Sequence, residues 1–578
     1  MKIVTARRIC QILFFALFLW LCIVSTVGRQ LWQIGDYPVN FFFYLDPLVA
    51  LGTMLAAHAL YGLLVLSLIT VILTIIFGRF FCSWVCPFGS VHHFFGFLAK
   101  RRKKVAERIK LNQYHKAQRI KYYILVVFLV MAAFPSLAAT LQIGLLDPIS
   151  FVTRSFNIML LPIFDRITNI ASSEPRFYQG AWLILAAFAA AVLLNFIIPR
   201  FYCRFICPLG AFFGLIDRFA IWRIGKKNAE CLECRLCEEN CEGACQPTHD
   251  FRISECVLCF NCLNDCRHHV MTYQTAKSAS GEITDPDISR RGFILSLAGG
   301  ALALPAVRLA NQLGSNYNPG IIRPPGALSE EEFLKRCIKC GQCMRVCPTN
   351  VIQPASTRGG LENLWTPTLN NRIGSSGCQY NCVACGQVCP TAAIRPISLD
   401  EKHGSGDFAD AGPVKIGTAF VDRSRCLPWV FGRPCIVCQE NCPVSPKAIY
   451  TKLSYDTVRN GEQATVKIVG NTVEIPVIMK PAQYSTGDYY CTVGPARFEI
   501  TDNSENTLTI KTTENAEQLL PPDGKIKIEV RLQRPYVDPQ KCIGCGVCEH
   551  ECPVSGKRAI RVSAEGETRS ANRKLLLD

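Results

Sequence analysis

The spacing of the cysteines constrains this chain more than any other feature. Its 578 residues include 32 cysteines, most of which recur in groups of four. Two groups follow the pattern Cys-x2-Cys-x2-Cys-x3-Cys, and they are Cys231, Cys234, Cys237 and Cys241, then Cys256, Cys259, Cys262 and Cys266. Three closely spaced thiolates with a fourth one helical turn on are the ligand set of a bacterial 4Fe-4S cluster. These groups therefore predict two clusters.

Four further groups lie beyond residue 330, and each ends in Cys-Pro. They are Cys337, Cys340, Cys343 and Cys347; Cys378, Cys382, Cys385 and Cys389; Cys426, Cys435, Cys438 and Cys442; and Cys542, Cys545, Cys548 and Cys552. Proline after the last cysteine stops the chain from continuing as a helix across the cluster. We expect four more clusters here. Spacing does not determine which group exchanges its fourth cysteine with which.

Zinc and disulfides are the competing uses of so many cysteines. A zinc ribbon fits three regularly spaced cysteines plus a fourth poorly, and disulfides do not account for one spacing that recurs. One detail stays open, because Cys245, which is followed by Pro247, competes with Cys241 for the place of fourth ligand. The remaining cysteines without a ligand pattern are Cys10, Cys22 and Cys491.

Four apolar stretches precede the cysteine-rich part and predict membrane spans. They are Cys10–Gly28, Tyr61–Phe77, Tyr122–Leu141 and Ala181–Pro199, each of about the length that crosses a bilayer. Basic residues crowd the segments at one side, above all Lys100–Lys121, which places both ends of this block in the cytoplasm. The formal net charge of +17 is thus a sign of membrane topology, and nucleic-acid binding is not expected.

The predicted membrane block contains an internal repeat. Residues 78–89, GRFFCSWVCPFG, match residues 199–210, PRFYCRFICPLG, and an Asp-Pro pair precedes each repeat. Two helical hairpins of one design would bring Cys82, Cys86, Cys203 and Cys207 together, because cysteines four apart share a helical face. We expect these four to hold a seventh cluster, with separate structural or redox thiols as the alternative.

Weaker candidates for a catalytic role lie near the opposite face of the block. Asp46 and Asp147 each precede a proline, which favours the interpretation of an N-cap followed by proline at the first helical position. The alternative is a carboxylate that takes protons from a quinol, because ionisable groups at membrane depth tend to be functional. His58, at the start of the second span, is a further candidate base or else an interfacial histidine.

Two other segments stand out. Ser289-Arg290-Arg291-Gly292-Phe293 followed by a mild apolar stretch to Val307 resembles a twin-arginine export signal, with a soluble helix as the alternative. Within Ala464–Leu532 apolar residues alternate with period two, which predicts a β-rich insertion at about 453–533 that serves docking or shielding. If the signal acts, the last four clusters face the periplasm.

The sequence therefore predicts a multi-domain membrane protein that combines a four-helix transmembrane block with α+β ferredoxin-like 4Fe-4S domains. The expected boundaries are 1–225 for the membrane block, 226–280 for a cytoplasmic two-cluster domain, 285–310 for the signal or fifth span, and 325–578 for an extracytoplasmic four-cluster domain with the β-rich insertion.

These motifs resemble a known pair of proteins. Residues 1–275, with the duplicated Cys-x3-Cys-Pro motifs, are similar to NapH-type membrane iron–sulfur proteins, and residues 285–578, with the twin arginines and Cys426-Leu427-Pro428-Trp429, are similar to NapG-type periplasmic ferredoxins. The chain resembles a fusion of the two. The β-rich insertion departs from the family pattern and leaves the acceptor open.

The resemblance implies a quinol dehydrogenase of anaerobic respiration in the bacterial inner membrane. It would pass electrons from menaquinol through six or seven 4Fe-4S clusters to a periplasmic reductase or c-type cytochrome. Two alternatives remain: a conduit that starts from a cytoplasmic ferredoxin-type donor, and a redox accessory protein for maturation of a periplasmic reductase.

Overall fold

The computed structural model describes residues 2–27, 37–59, 61–101, 103–134, 141–168, 175–227, 231–312, 320–356, 360–511, 518 and 524–569. They form two compact units. The first comprises Met1–Asn370 and Asn381–Val414, and the second comprises Asn371–Tyr380 and Lys415–Asp578. The predicted four-cluster domain, 325–578, is thus divided between the two units.

The first unit begins with a block of thirteen helices in the described residues up to Asp217. They are α1 (Ile3–Val27), α2 (Phe41–Tyr44), α3 (Pro47–Ala57), α4 (Ser67–Phe77), α5 (Phe81–Trp84), α6 (Pro87–Lys100), α7 (Val105–Leu111), α8 (Ile120–Ala133), α9 (Pro148–Ser155), α10 (Leu161–Thr168), α11 (Ala181–Leu193), α12 (Phe201–Phe205) and α13 (Pro208–Asp217). Single 3-10 or π turns link several of them, at Gly62–Leu66, Lys116–Arg119, Ile143–Leu145, Phe156–Leu160 and Leu194–Phe196.

The internal repeat appears as matching local structure. In both halves a short helix precedes a cysteine that caps the next helix: Cys86 Sγ accepts from Gly89 N at 3.5 Å, and Cys207 Sγ accepts from Gly210 N at 3.2 Å. Proline follows each capping cysteine at the first helical position, where its missing N–H removes no helical hydrogen bond. The Cys-Pro pair thus begins α6 and α13 in the same way.

One helix among the described residues is long and apolar enough to cross a membrane, over Ile3–Ser25. Shorter apolar helices cover Pro47–Ala57, Gly62–Phe77, Ala181–Phe196 and Pro208–Asp217. The third predicted span corresponds to α8, but residues 135–140 of it lie outside the described part. The four-helix transmembrane block therefore stays a prediction.

The helical block leads into a first ferredoxin module. Its elements are β1 (Arg223–Lys226), α14 (Leu236–Glu239), β2 (Phe251–Arg252), a 3-10 turn (Ile253–Glu255), α15 (Asn261–Asp265), β3 (Met271–Gln274) and β4 (Glu282–Ile283). Strand β1 pairs antiparallel with β3, and β2 pairs parallel with β4. A 23-residue helix follows, α16 (Arg290–Gln312), which starts at the twin arginines and packs along α8, with Gly292 beside Tyr123 and Gly300 beside Val130.

A second ferredoxin module completes the first unit, within residues 320–370 and 381–414. Its elements are α17 (Glu330–Arg336), α18 (Gln342–Val346), β5 (Ile352–Pro354), β6 (Pro367–Leu369), α19 (Ala384–Gln387), α20 (Leu399–His403) and a 3-10 turn (Gly406–Phe408). Strands β5 and β6 pair antiparallel.

The second unit combines a third ferredoxin module with a large sheet. Its elements are β7 (Thr418–Val421), α21 (Leu427–Val430), α22 (Val437–Glu440), β8 (Ile449–Gln463), β9 (Lys467–Val469), β10 (Thr472–Glu474), β11 (Tyr489–Val493), β12 (Ala496–Asn503), β13 (Thr507–Lys511), β14 (Ile526–Val537), α23 (Val547–Glu551) and β15 (Ile560–Ser563). Seven strands form one antiparallel sheet in the order β8-β14-β11-β12-β13-β10-β9. The predicted β-rich region is confirmed. Cys491 is fully buried in its core, where it packs as a small apolar residue.

Candidate metal centres

Four of the cysteine groups share an unusual backbone. The residues before and after the second cysteine both have positive φ, at Glu233 and Arg235, Leu258 and Phe260, Lys339 and Gly341, and Gly544 and Gly546. Residues other than glycine rarely adopt this conformation, so its recurrence indicates one loop design. Successive residues that alternate in this way turn backbone N–H groups toward a common point, which suits an anionic cluster. The loops therefore fit 4Fe-4S clusters.

In the second ferredoxin module the fourth cysteine of one group lies near the first three of the other. Cys337, Cys340 and Cys343 all lie within electrostatic range of Cys389. Cys389 closes the group that begins with Cys378 in sequence. This exchange is the arrangement of two-cluster ferredoxins, and spacing alone did not determine it.

The third module makes the same exchange twice. One apolar cavity is lined by Cys426, Cys435 and Cys438 together with Cys552. A second is lined by Cys542, Cys545 and Cys548 together with Cys442. Each candidate site thus takes three cysteines from one group and the fourth from the other.

The group of Cys378, Cys382, Cys385 and Cys389, whose first two cysteines are separated by three residues, is divided between the two units. Cys378 belongs to the second unit, where its backbone N–H donates to the Cys545 carbonyl at 2.7 Å. Cys382, Cys385 and Cys389 belong to the first unit.

Cys241 and Cys245 approach each other closely in the first module. Their Sγ atoms lie 3.2 Å apart. Cys241 is within electrostatic range of Cys259 and Cys262, while Cys245 contacts Cys256. Both candidates for the fourth ligand therefore face the Cys256 group, and the choice between them stays open.

The repeat in the helical block brings its four cysteines near one another. Cys82, Cys86, Cys203 and Cys207, here called the cysteine quartet, lie within mutual electrostatic range. Two arginines at equal positions of the repeat accompany them: Arg79 Nε donates to Cys82 Sγ at 3.4 Å, and Arg200 Nη1 donates to the Cys82 carbonyl at 3.3 Å. Burial raises the pKa of Cys203, and the positive charge of Arg200 opposes that rise.

The distance between the sulfur ligands distinguishes a cluster site from the site of a single metal ion. Four thiolates around one zinc lie about 4 Å apart. Among the described residues, no three His, Cys, Asp or Glu side chains converge closely enough to hold one ion. Burial raises the pKa of Cys426 to about 11 and that of Cys438 to about 12, so proton release accompanies metal binding at these thiols.

Buried charges fasten the first module to the helical block. Glu242, next to Cys241, pairs with Arg7 at 2.9 Å and with Arg200 at 2.6 Å. Glu255, next to Cys256, pairs with Lys121 and accepts from the Tyr122 hydroxyl at 3.1 Å. Unpaired buried charges are costly, so these contacts fix the module against α1 and α8.

The second module contacts the other end of the same helices. The second module's Arg345 forms a buried ion pair with Asp165 at 2.8 Å and lies within electrostatic range of Cys22 in α1. The backbone N–H of Leu141, which follows α8, donates to the Leu334 carbonyl at 2.8 Å. Arg7 and Cys22 are fifteen residues apart on one helix, which is about 22 Å. The two ferredoxin modules therefore lie at opposite ends of α1.

A short chain of contacts connects the cysteine quartet with the second module. The hydroxyl of Tyr202, beside Cys203, donates to the Leu146 carbonyl. Arg154 Nη1 donates to the Gly144 carbonyl and to the Lys339 carbonyl, beside Cys340, at 3.1 Å each. Packed, hydrogen-bonded side chains thus bridge two candidate cluster sites.

The three weaker candidates for a catalytic role, Asp46, Asp147 and His58, do not form one cluster in the structure. Asp46 and Asp147 are fully buried N-caps, whose carboxylates accept from Leu48 N at 2.9 Å and Ser150 N at 2.8 Å. They also contact each other. His58 ends α3 in the left-handed conformation and is exposed. The structure therefore joins the two aspartates and leaves His58 apart from them.

Sequence reasoning missed several buried groups around these sites. Arg79 and Arg200 stand three residues before the first cysteine of each Cys-x3-Cys-Pro motif, so the repeat itself carried a signal for them. The sequence contained no signal for His92, His93 and Glu242, because a single sequence does not show that α6 contacts the first module.

The fold and the cysteine sites define a multi-cluster iron–sulfur protein. Models of a "4Fe-4S binding domain" match residues 59–105 and 180–227 and, in another family, 533–554; a "4Fe-4S dicluster domain" matches 336–393. The first match covers both halves of the repeat. No solved structure matches this chain.

Three curated relatives specify the family further. An uncharacterized protein of Methanocaldococcus jannaschii is 27% identical over 48% of this chain and 97% of its own length. The ferredoxin-type protein NapH of Escherichia coli K12 is 27% identical over 48% of this chain and 90% of its own length, and NapG of the same organism is 33% identical over 31% and 73%. The chain belongs to the NapH- and NapG-type iron–sulfur electron-transfer proteins, and it carries multiple 4Fe-4S clusters.

Proposed function

We propose that this protein oxidises a membrane quinol of the menaquinol class and delivers the electrons to a periplasmic reductase or c-type cytochrome. The observation that carries the proposal is the position of the two ferredoxin modules of the first unit at opposite ends of α1, with Glu242 at one end and Arg345 at the other. A chain that holds redox sites at both ends of an apolar helix is suited to move electrons between two faces of a membrane.

The proposed location is the bacterial inner membrane, with four spans, the first module in the cytoplasm and the residues after 320 outside. The basic segment Lys100–Lys121 and the 23-residue α16 support this topology. Helix α16 is about 35 Å long and starts at Arg290-Arg291, beside the first residues of α8. It therefore runs in the direction that would carry the chain from the first module to the second.

The proposed cofactors are six 4Fe-4S clusters and a seventh at the cysteine quartet. When bound, such clusters supply one-electron transfer, which matches a quinol that gives up its two electrons singly. Tyr202, next to Cys203, donates to the Leu146 carbonyl, and Arg154 donates to the carbonyl of Lys339, next to Cys340. Both side chains are buried, and their hydrogen bonds hold the two sites close together.

Anaerobic titration of the full chain in detergent tests the proposal. A menaquinol analogue is expected to bleach the absorbance of the clusters as soon as it is mixed with the protein. Reduced ferredoxin serves as the comparison reductant. If only reduced ferredoxin or dithionite bleaches the clusters, the protein is not a quinol dehydrogenase.

One observation favours a second function, a conduit from a cytoplasmic ferredoxin-type donor. Cys234 is exposed, unlike the cysteines of the Cys256 group, of which Cys256, Cys259 and Cys262 are buried. An exposed ligand is where a soluble donor would reach the chain. Bleaching by reduced ferredoxin, with none by the quinol, would establish this alternative.

A further inference from the structure

A cavity of about 240 Å³ lies between the helical block and the first ferredoxin module. Helix α6 forms one wall with His92, His93, Gly96 and Phe97, and Glu242 of the first module lies opposite. None of these residues belongs to a predicted ligand set or to the candidates Asp46, Asp147 and His58. The cavity is therefore separate from the candidate cluster ligands and from those three residues.

His92 offers this cavity an unused polar atom. Its side chain is fully buried, and its Nδ1 lies 2.8 Å from Asn195 Oδ1. Its Nε2 has no hydrogen-bond partner among the described residues. A buried polar atom without a partner is costly, so an occupant of the cavity that bonds to Nε2 is favoured. Either tautomer of His92 serves, because Nε2 then accepts from a hydroxyl or donates to a carbonyl.

The neighbouring groups suit an aromatic diol that becomes a dione. His93 Nε2 lies 3.2 Å from Arg7 Nη2 and 3.4 Å from Glu242 Oε1. Burial lowers the pKa of both His92 and His93 to about 4, so both rings are neutral near pH 7 and available as proton acceptors. Five cations line the cavity against the two carboxylates Glu242 and Asp265, and this excess of positive charge favours an anionic intermediate. The cations are Arg8, Lys100, Arg101, Arg108 and Arg200.

The cavity also adjoins a candidate cluster site and an apolar surface. The backbone N–H of Glu242 donates to Cys259 Sγ, so one residue separates the cavity from a ligand. Phe97 lines the cavity and, with Phe94 on the same helix, is largely exposed, at 45% and 58%. An isoprenoid tail would leave the cavity along this exposed face of α6.

We infer that this cavity binds the head group of the membrane quinol, with His92 Nε2 as the hydrogen-bond partner of one of its oxygens. The inference rests on the proposed function and adds the site. Oxidation breaks both O–H bonds of the quinol and leaves a quinone, two protons and two electrons. The protons pass to the neutral imidazole of His93, whose side chain is 22% exposed, and from there to solvent. The 4Fe-4S cluster that the Cys256 group would hold accepts the two electrons one at a time and passes each on to the next cluster.

Gly96 allows a test that does not depend on removing a contact. A Cβ at Gly96 meets nothing within 4 Å, so Gly96→Leu adds a side chain to the wall of the cavity, and leucine is a better helix former than glycine. Gly299 in α16 is a matched control, because it is an exposed helical glycine whose Cβ also meets nothing within 4 Å. A second variant, His92→Leu, removes the polar atom itself.

The measurement is the dissociation constant of 2-heptyl-4-hydroxyquinoline N-oxide, a fluorescent quinol analogue, on the full chain in detergent, together with the rate of cluster bleaching by a menaquinol analogue. We expect Gly96→Leu and His92→Leu each to weaken binding and slow bleaching at least about tenfold, the effect of one lost hydrogen bond or more. Gly299→Leu is expected to match the unaltered protein, and bleaching by dithionite is expected to be equal in all variants.

The results distinguish a wrong quinol site from a wrong proposed function. If the unaltered protein responds to the quinol and both cavity variants respond equally well, the site lies elsewhere and the inference is wrong while the proposed function stands. If the unaltered protein neither binds the analogue nor bleaches with the quinol, the proposed function fails, and the inference fails with it.

Discussion

Arg200 Nη2 lies 2.6 Å from Glu242 Oε2, and both side chains are almost fully buried. Arg200 stands three residues before Cys203 of the cysteine quartet, and Glu242 directly follows Cys241 of the first module. One ion pair therefore connects two candidate cluster sites that lie 38 residues apart in sequence. Glu242 also forms part of the wall of the proposed quinol cavity.

Glu242→Gln is expected to loosen the first module from the helical block. The change leaves Arg7 and Arg200 buried without a counter-charge, which costs about 3–5 kcal/mol. Thermal unfolding, followed by the loss of cluster absorbance, measures the effect. The control is Arg218→Gln, whose pair with Asp285 is exposed and 3.8 Å long, and which is expected to cost less than about 1 kcal/mol. Equal midpoints for the two variants would contradict the role of the buried pair.

Paired substitutions test the exchange of ligands in the third module. Because Cys552 lines the cavity of Cys426, Cys435 and Cys438, Cys552→Ser and Cys426→Ser are expected to remove the same cluster. Each single variant then loses about four iron atoms, and the double variant also loses about four. Cys552→Ser combined with Cys542→Ser is expected to lose about eight.

Iron analysis of the purified chain gives the result directly. Cys491→Ala serves as the control, because Cys491 is buried in the β-sheet and its removal is expected to leave the iron content unchanged. Loss of about eight iron atoms from the Cys552 and Cys426 double variant would show instead that each group is self-contained.

The cysteine quartet is expected to hold a cluster of its own. The unaltered chain should then contain about 28 iron atoms, and Cys82→Ser with Cys203→Ser should lower the content to about 24. Cys10→Ser, which changes a cysteine outside every predicted set, is the control. An unchanged content of about 24 in both chains would mean that the four are separate thiols.

Asp217 is expected to make stability depend on pH. Burial raises the pKa of Asp217, beyond the fourth predicted span, to about 8. Between about pH 4 and 8 the folded chain therefore holds a proton that the unfolded chain has lost, so stability falls as pH rises, by at most about 1.4 kcal/mol per unit. Asp217→Asn should remove this slope. Parallel pH profiles for both proteins, from thermal midpoints at pH 5, 6, 7 and 8, would refute the assignment.

Most of the proposed cluster ligands could be predicted from sequence spacing, because cluster geometry restricts the number of residues between cysteines such as Cys256, Cys259 and Cys262. The repeat likewise predicted that Cys82 and Cys203 approach each other. The exchange of Cys442 and Cys552 was not predictable, because it depends on how two distant segments fold together. For the same reason the sequence contained no sign that His92 lies at a cavity, because that position depends on the contact between α6 and the first module.

The predicted membrane spans match continuous helices only in part. Hydropathy predicted four spans, whereas only Ile3–Ser25, among the described residues, has both the length and the apolar character in one helix. The apolar segments after Tyr61 and Ala181 begin or end in 3-10 turns, at Gly62–Leu66 and Leu194–Phe196. Composition does not distinguish such a broken helix from a continuous one.

We propose that electrons cross from the quinol to the outer face through the cysteine quartet. The most direct test reconstitutes the full chain in liposomes with menaquinol in the bilayer and an impermeant c-type cytochrome outside. The account predicts steady reduction of the cytochrome by the unaltered chain and loss of that reduction in Cys82→Ser with Cys203→Ser, while Cys10→Ser remains active. Equal rates of cytochrome reduction with and without the quartet would contradict it.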